Sequence, residues 1–267
     1  MIDLHSHVLP GIDDGAPDLA TAIAMARMAA EDGTRVLACT PHVKRGTWDN
    51  EASDIARRVR ELQGEIDRAG VRLHLVAGGD IHVSPDLHRT LGQAVPTLGG
   101  TRYFLYEPPF QIPPPNLLDH TLRIIEAGFV PVITHPERLA WVAERYETFD
   151  ALNRAGCLVQ ITAGAVTGRF GRTVEALAMR MFEEGRVDIV ASDAHDTARR
   201  PPLLREAVER LEPVIGREEA LRTVRDRPAA ILRDEAMEPL GASLPPLERR
   251  SAGRASGLRR LFGLGRG

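Results

Sequence analysis

Short apolar segments alternate with longer amphipathic segments along most of this chain, and this alternation limits its fold more than any other feature. Seven apolar or β-branched runs are strand candidates: Ile2–His5, Arg35–Thr40, Arg72–Ala77, Tyr103–Glu107, Val130–Thr134, Leu158–Thr162 and Asp188–Ala191. Between them apolar residues recur at spacings of three and four, as Ile55, Val59 and Leu62 do, which predicts helices. The pattern also predicts a helix over Arg138–Ala155. Strands that alternate with helices predict an α/β fold with a parallel sheet.

Potential metal ligands stand at the ends of most of these strands. They are His5, His7, His42, Asp80, Glu107, His135, Asp193 and His195. In a β/α barrel the carboxyl ends of the strands meet at one mouth. We therefore expect a closed seven-stranded barrel, which suits a chain of 267 residues, rather than an open sheet.

Two pairs of these ligands have the spacing of neighbours on one strand face. In His5-x-His7 alternate side chains share a face, so both rings can bind one cation, and Asp193-x-His195 repeats the geometry. Imidazole with carboxylate suits Mn, Fe or Zn. The other histidines, which are His74, His82, His88 and His120, we interpret as ordinary surface or core residues.

The strings around these ligands resemble a known family. Asp3–His7, Thr40–His42, Thr134–Arg138 and Ser192–His195 match motifs of the PHP (polymerase and histidinol phosphatase) superfamily. The longer string Met1–Ala16, with the others, resembles the bacterial CpsB/YwqE-type protein-tyrosine phosphatases of capsule and exopolysaccharide systems. The resemblance covers roughly residues 1–235. It implies a distorted (βα)7 barrel of the PHP type, a single domain over 1–235, with up to three divalent metals, often manganese.

The resemblance also implies a ligand set for each metal. The first metal would take His5, His7, Asp80 and Asp193, the second Asp80, Glu107 and His135, and the third Asp14, His42 and His195. Asp13 is the alternative to Asp14. The bridging residue of this family is usually glutamate, and the shorter Asp80 stands in its place.

The implied activity is hydrolysis of phosphotyrosine in proteins by a metal-activated water, in opposition to a membrane-associated bacterial tyrosine autokinase. Bound cations neutralise the anionic ester and lower the pKa of a coordinated water. Arg138 and Arg200 are the expected clamps on the phosphate oxygens, because guanidinium pairs bidentately with phosphate. Arg199 is the alternative to Arg200.

Four further functions fit parts of the sequence. Cys39–Arg45 fits the Cys-x5-Arg loop of cysteine phosphatases, but Pro41 removes one of the backbone donors that such a loop needs. A two-metal amidohydrolase often bridges its metals with a carboxylated lysine, and the single lysine, Lys44, lies after the second strand. A non-catalytic PHP module, or a phosphatase of a small ester such as histidinol phosphate, would carry the same metal-binding motifs.

Charge and cysteine content indicate the expected binding partners and cellular compartment. Residues 248–267 hold six arginines and one acid, so the rest of the chain is more acidic than the net charge of −3 indicates, and nucleic acid is not an expected partner. Two cysteines indicate a reducing cytoplasm. We expect residues 236–267 to form a basic, flexible tail, with a short anchor to the inner membrane face or to the kinase as the alternative.

Overall fold

The computed structural model describes residues 1–243, which contain nine strands that all pair in parallel. The strands are β1 (Ile2–Asp3), β2 (Val36–Cys39), β3 (His42–Val43), β4 (His74–Ala77), β5 (Asp80–His82), β6 (Tyr103–Glu107), β7 (Val130–Thr134), β8 (Leu158–Thr162) and β9 (Ile189–Ala191). One sheet has the order β1-β2-β4 and the other the order β3-β5-β6-β7-β8-β9.

The nine strands occupy seven positions around one barrel. Strand β3 continues β2 after the break at Thr40-Pro41, and β5 continues β4 after Gly78-Gly79. Hydrogen bonds cross these breaks, from the Gly78 N–H to the Cys39 carbonyl at 3.0 Å and from the Asp80 N–H to the Pro41 carbonyl at 3.0 Å. The predicted distorted (βα)7 barrel is confirmed, with two strands interrupted.

Backbone hydrogen bonds close the barrel between its first and last strands. The His7 N–H donates to the Ala194 carbonyl at 2.8 Å, and the Asp193 N–H donates to the His5 carbonyl at 2.9 Å. The buried Asp3 side chain ties the same seam, since it accepts from the Ser192 N–H at 3.0 Å. Closure therefore places the two pairs of predicted ligands side by side.

Ten α-helices surround the sheet in the described part of the chain. They are α1 (Leu19–Asp32), α2 (Ala52–Arg68), α3 (Leu87–Thr90), α4 (Leu117–Glu126), α5 (Tyr146–Arg154), α6 (Ala163–Val166), α7 (Arg172–Glu183), α8 (Arg205–Ile215), α9 (Arg217–Val224) and α10 (Asp226–Leu232). Helix α1 is capped by Asp18, whose carboxylate accepts from the Thr21 N–H at 2.8 Å. None of these helices combines the length and apolar character needed to cross a bilayer.

The helix predicted over Arg138–Ala155 is wrong in its first half. A short 3-10 helix (Pro136–Arg138) ends there, and α5 begins only at Tyr146. The Ala140 N–H donates to the Phe110 carbonyl at 2.9 Å, and the Trp141 indole donates to the Pro109 carbonyl at 3.0 Å. These bonds to the proline-rich loop after β6 take the place of helical ones, which periodicity along the chain cannot reveal.

Alternate residues of the strands pack into different apolar clusters. Leu105 packs with Val132 and Leu158 from other strands and with Leu4, which directly follows β1. Its neighbours Phe104 and Tyr106 belong to a larger cluster that includes helix residues. Both faces of the central strands are thus buried, as in other parallel barrels.

The described chain runs past residue 235 against the barrel. The Tyr103 hydroxyl donates to the Glu235 carbonyl at 2.6 Å, and the Leu240 N–H donates to Asp188 at 3.0 Å. A Cβ on Gly241 would lie 1.5 Å from the Asn153 side-chain oxygen, so the segment packs closely there. The predicted domain boundary at 235 stays a prediction, and residues 244–267 of the predicted tail lie outside the described residues.

Candidate functional site

The structure brings all nine candidate ligands to one mouth of the barrel. His42 and Asp80 begin β3 and β5, just after the breaks in their strand positions, and the others stand at or shortly after the end of a strand or in the loop that follows β1. Their ligand atoms form four groups, each with all atoms within 4.8 Å of one another. The groups are His7, Asp14, His42 and His195; His5, His7 and Asp193; His5, Asp80 and His135; and His42, His82 and Glu107.

The barrel seam forms the first cluster. The Nε2 atoms of His5 and His7 lie 3.2 Å apart, and Asp193 Oδ1 is 3.3 Å from the first and 3.4 Å from the second. All three side chains are buried. Two imidazole nitrogens and one carboxylate oxygen thus face a common point.

Asp80 lies at the centre of the site. Its Oδ2 atom is 3.5 Å from His5 Nε2, 3.3 Å from His42 Nδ1 and 4.0 Å from His135 Nε2. Glu107 extends this cluster, with Oε1 3.5 Å from His135 Nε2. Although aspartate is one methylene shorter than glutamate, the Asp80 carboxylate faces rings from three strand positions.

The structure distinguishes Asp14 from Asp13. Asp14 Oδ1 lies 3.4 Å from His195 Nε2 and 3.5 Å from His42 Nε2, and its side chain is 50% exposed. Asp13 is turned inward, where one oxygen accepts from His7 Nδ1 at 2.8 Å and from the His42 N–H at 3.0 Å. Asp14 therefore joins the ligand cluster, while Asp13 orients His7.

His82, which we expected to be an ordinary surface or core histidine, lies beside the candidate ligands. Its Nε2 atom lies 2.6 Å from Glu107 Oε2, and the ring forms a cluster with His42 and Glu107. The third strand resumes as β5 after two glycines, so Asp80 and His82 share one face as alternate residues. The Asp80-x-His82 spacing is therefore a usable signal in the sequence.

Two arginines border the clusters. Arg138 and Arg200 both donate to Asp193 Oδ2, the carboxylate oxygen that does not face His5 and His7. The Arg138 guanidinium also lies over the rings of Phe170 and Phe110, 4.5 and 5.4 Å from their centroids. Of the two adjacent arginines, Arg200 contacts Asp193 in the site, whereas Arg199 is exposed.

Hydrogen bonds behind the rings fix which nitrogen faces the mouth. Gln160 accepts from His5 Nδ1 at 2.9 Å, and the Asp193 carbonyl accepts from His195 Nδ1 at 3.0 Å. Both hydrogen bonds leave the Nε2 atom of the ring directed into the site. A hydrogen bond from the second ring nitrogen is the usual support of a metal-binding histidine. Gln160 is absent from the predicted site residues, because a polar residue inside a strand carries no motif.

Mutual contact shifts the titration of these groups. Burial disfavours the protonated His5 ring, but Asp193 and Asp80 outweigh this and raise its pKa to about 9. Burial acts likewise on His42, where Asp80 and Glu107 raise the pKa to about 11. Burial and the nearby Arg138 lower the pKa of His135 to about 4. Cations that bind the first two rings must therefore displace protons.

The donor set fits divalent cations. Several buried atoms make no well-aligned hydrogen bond within the described residues and face other candidate ligand atoms instead, namely Asp80 Oδ2, Glu107 Oε2, His42 Nδ1 and His195 Nε2. Converging, buried imidazole and carboxylate atoms without such hydrogen bonds are what Mn, Fe or Zn binds. The site is thus suited to metal ions.

Cys39 is placed unfavourably for nucleophilic catalysis. It is fully buried in β2, and burial raises the pKa of its thiol, so the reactive thiolate is disfavoured. The cysteine-phosphatase alternative has no support in this geometry.

The chain is similar to known proteins of one family over most of its length. The profile of the family described as "Capsular polysaccharide synthesis, CpsB/CapC" matches residues 1–233. The chain is 34% identical over 227 residues to tyrosine-protein phosphatase YwqE of Bacillus subtilis, which covers 82% of this chain and 86% of the relative. It is 28% identical over 209 residues to the putative tyrosine-protein phosphatase CapC of Staphylococcus aureus, covering 77% of this chain and 81% of the relative.

Solved structures agree with the sequence relatives. A chain from the crystal structures of YwqE from B. subtilis and CpsB from Streptococcus pneumoniae, described as unique metal-dependent tyrosine phosphatases, superimposes with a TM-score of 0.86 and 31% identity. The match covers 93% of this chain and 100% of that one. The profile spans nearly all of the barrel and the structural match extends over it, so this chain belongs to the CpsB/CapC family of capsular polysaccharide synthesis.

Proposed function

We propose that this protein is a metal-dependent tyrosine-protein phosphatase of capsular or exopolysaccharide synthesis. The observation that carries the proposal is the convergence of buried imidazoles and carboxylates with two arginines at one barrel mouth. Family membership and the names of the relatives support the same activity.

Three divalent metals, with manganese as the first candidate and Fe or Zn as alternatives, would be held by the clusters. His5, His7, Asp80 and Asp193 would hold the first; Asp80, Glu107 and His135 the second; Asp14, His42 and His195 the third. We add His82 to this set through its contact with Glu107. When bound, such cations supply charge neutralisation and an activated water for attack on phosphorus.

The arginines would bind the phosphate of the substrate. Arg200 Nε is buried without an acceptor among the described residues, and a phosphate oxygen would supply one. Arg138 is held in place by the two aromatic rings beneath and beside it. Because both guanidinium groups already meet Asp193, they are positioned before substrate arrives, which favours binding of a charged ester.

The substrate would be a phosphotyrosine protein, and a membrane-associated tyrosine autokinase is the candidate we infer from the family's role. A cytoplasmic location remains our expectation from the cysteine content. The proposed membrane or kinase contact belongs to the predicted basic tail, residues 236–267, of which residues 244–267 lie outside the described part of the chain.

Metal content and substrate choice together test this proposal. We would measure bound metals in the purified protein and the hydrolysis of a phosphotyrosine peptide and of histidinol phosphate, with and without Mn²⁺. We expect bound metal and faster hydrolysis of the peptide. Preference for histidinol phosphate would favour the small-substrate alternative. No hydrolysis with any metal would favour the amidohydrolase or the non-catalytic module.

A further inference from the structure

A surface cavity adjoins the candidate site on the side of Arg200. It is a small, partly open depression between the turn after α6 and the segment that leads into α8. Three arginines line it, Arg169, Arg199 and Arg200, against one acid, Glu206. The residues that line the cavity therefore carry more positive than negative charge, although the chain as a whole has a net charge of −3.

The cavity is continuous with the mouth that would bind the phosphate. Arg200 lines the cavity and also donates to Asp193. Phe170 forms part of the wall and lies beneath the Arg138 guanidinium. Ser192, another lining residue, directly precedes Asp193. A group bound in the cavity would thus be a close neighbour of a phosphate held by the two arginines.

Two of the lining guanidinium groups are weakly neutralised by the protein itself. Arg169 meets Glu206 at 3.7 Å, with side chains 36% and 58% exposed, and such solvated pairs contribute little. The exposed Arg199 side chain has no ion-pair partner within residues 1–243. By contrast, helix arginines such as Arg57 pair closely with acids one turn away.

We propose that this cavity is a subsite for an anionic side chain that flanks the phosphotyrosine of the substrate, either a carboxylate or a second phosphate. Arg169 and Arg199 are then specificity-determining residues. The inference rests on the proposed phosphatase function. Neighbouring residues of an extended peptide are about 3.3 Å apart along the chain. The charged end of a flanking side chain can therefore reach the accessible guanidinium groups of Arg169 and Arg199 beside Arg200.

The test compares three phosphotyrosine peptides that differ only in their flanking residues: alanine, glutamate, or a second phosphotyrosine. We expect the Mn²⁺-loaded protein to have a severalfold higher kcat/KM for the two anionic peptides than for the neutral one. Arg169→Ala and Arg199→Ala should each reduce this ratio by about two- to fivefold, the usual effect of one solvated charge pair. Glu206→Gln removes the competing acid and should increase the ratio.

Arg60→Ala is the matched control, since it removes an exposed arginine from α2 and should leave the ratio unchanged. A second phosphate that raises kcat/KM more than glutamate does would assign the subsite to phosphate, and the reverse order to carboxylate. Equal kcat/KM for all three peptides in the unmodified protein would overturn the proposal. So would an equal fall on every peptide in the arginine variants, because that indicates a structural role.

If no phosphotyrosine peptide is hydrolysed at all, the proposed function fails and this inference fails with it. That result is distinct from hydrolysis without any preference among the peptides, which rejects the subsite alone.

Discussion

Asp13→Asn tests how the loop after β1 orients the candidate ligand His7. One carboxylate oxygen of Asp13 accepts from His7 Nδ1 at 2.8 Å and from the His42 N–H at 3.0 Å, and the other accepts from the Gly15 N–H at 2.9 Å. Burial opposes ionisation, but these donors outweigh it and hold the pKa of Asp13 below its usual value. The side chain is thus a buried, charged acceptor of three hydrogen bonds.

Asparagine keeps one acceptor oxygen and turns an amide nitrogen toward at least one N–H donor. Hydrogen bonds to a charged group contribute about 1.5–3 kcal/mol each. With one or two of them lost, we expect the free energy of unfolding of the metal-free protein to fall by about 2–4 kcal/mol. Loss of support behind a metal-binding histidine typically lowers metal affinity about 10- to 100-fold.

Calorimetric titration with Mn²⁺ and denaturant unfolding of the metal-free protein measure the two effects. Asp14→Asn is the matched control, since Asp14 is half exposed and should lose metal affinity with little loss of stability. Unchanged Mn²⁺ affinity in Asp13→Asn would refute the orienting role. Complete loss of a metal at normal stability would instead make Asp13 a ligand.

Four further predictions follow from individual contacts. His82→Ala should lower the metal content measured by elemental analysis, whereas His74→Ala, at the exposed start of β4, should not. Arg138→Ala should lower kcat/KM without lowering metal content, whereas His7→Ala should lower both; equal metal loss in the two variants would contradict the assigned roles. Asp150→Ala leaves the buried Arg186 without its main partner and should lower the free energy of unfolding by about 3–5 kcal/mol in denaturant titrations. Burial raises the pKa of Asp188 to about 6, so its protonated form stabilises the fold below pH 4 and that contribution is lost as the pH rises to about 6. Asp188→Asn should remove this part of the pH dependence of the free energy of unfolding. Parallel curves of unfolding free energy against pH for the two proteins would contradict it.

Several features of the site were accessible from local patterns. The alternation of strands and helices predicted the barrel, and ligands at strand ends predicted their convergence, because parallel strands of one barrel end at one mouth. The His5-x-His7 and Asp193-x-His195 spacings predicted shared faces, and backbone bonds at the seam set the two pairs together. The Asp80-x-His82 spacing follows the same rule and places His82 on the face of Asp80. We did not predict this, because the break at Gly78-Gly79 concealed that the strand continues.

Other features depend on contacts between residues that are distant in sequence. The neighbours Asp13 and Asp14 are chemically alike, and only the positions of His7, His42 and His195 separate an inward support from a candidate ligand. The segment after Arg138 has helical periodicity but bonds to the loop that contains Phe110.

The sequence alone therefore determined the order of the elements, the closed barrel and the chemical types at its mouth, since these follow from periodicity along the chain. Only the tertiary structure decided which of two adjacent residues enters the site, as for Arg199 and Arg200, and where a charged cavity adjoins it. The physical reason is that side-chain direction in loops is set by hydrogen bonds and packing across the fold, which local spacing does not encode.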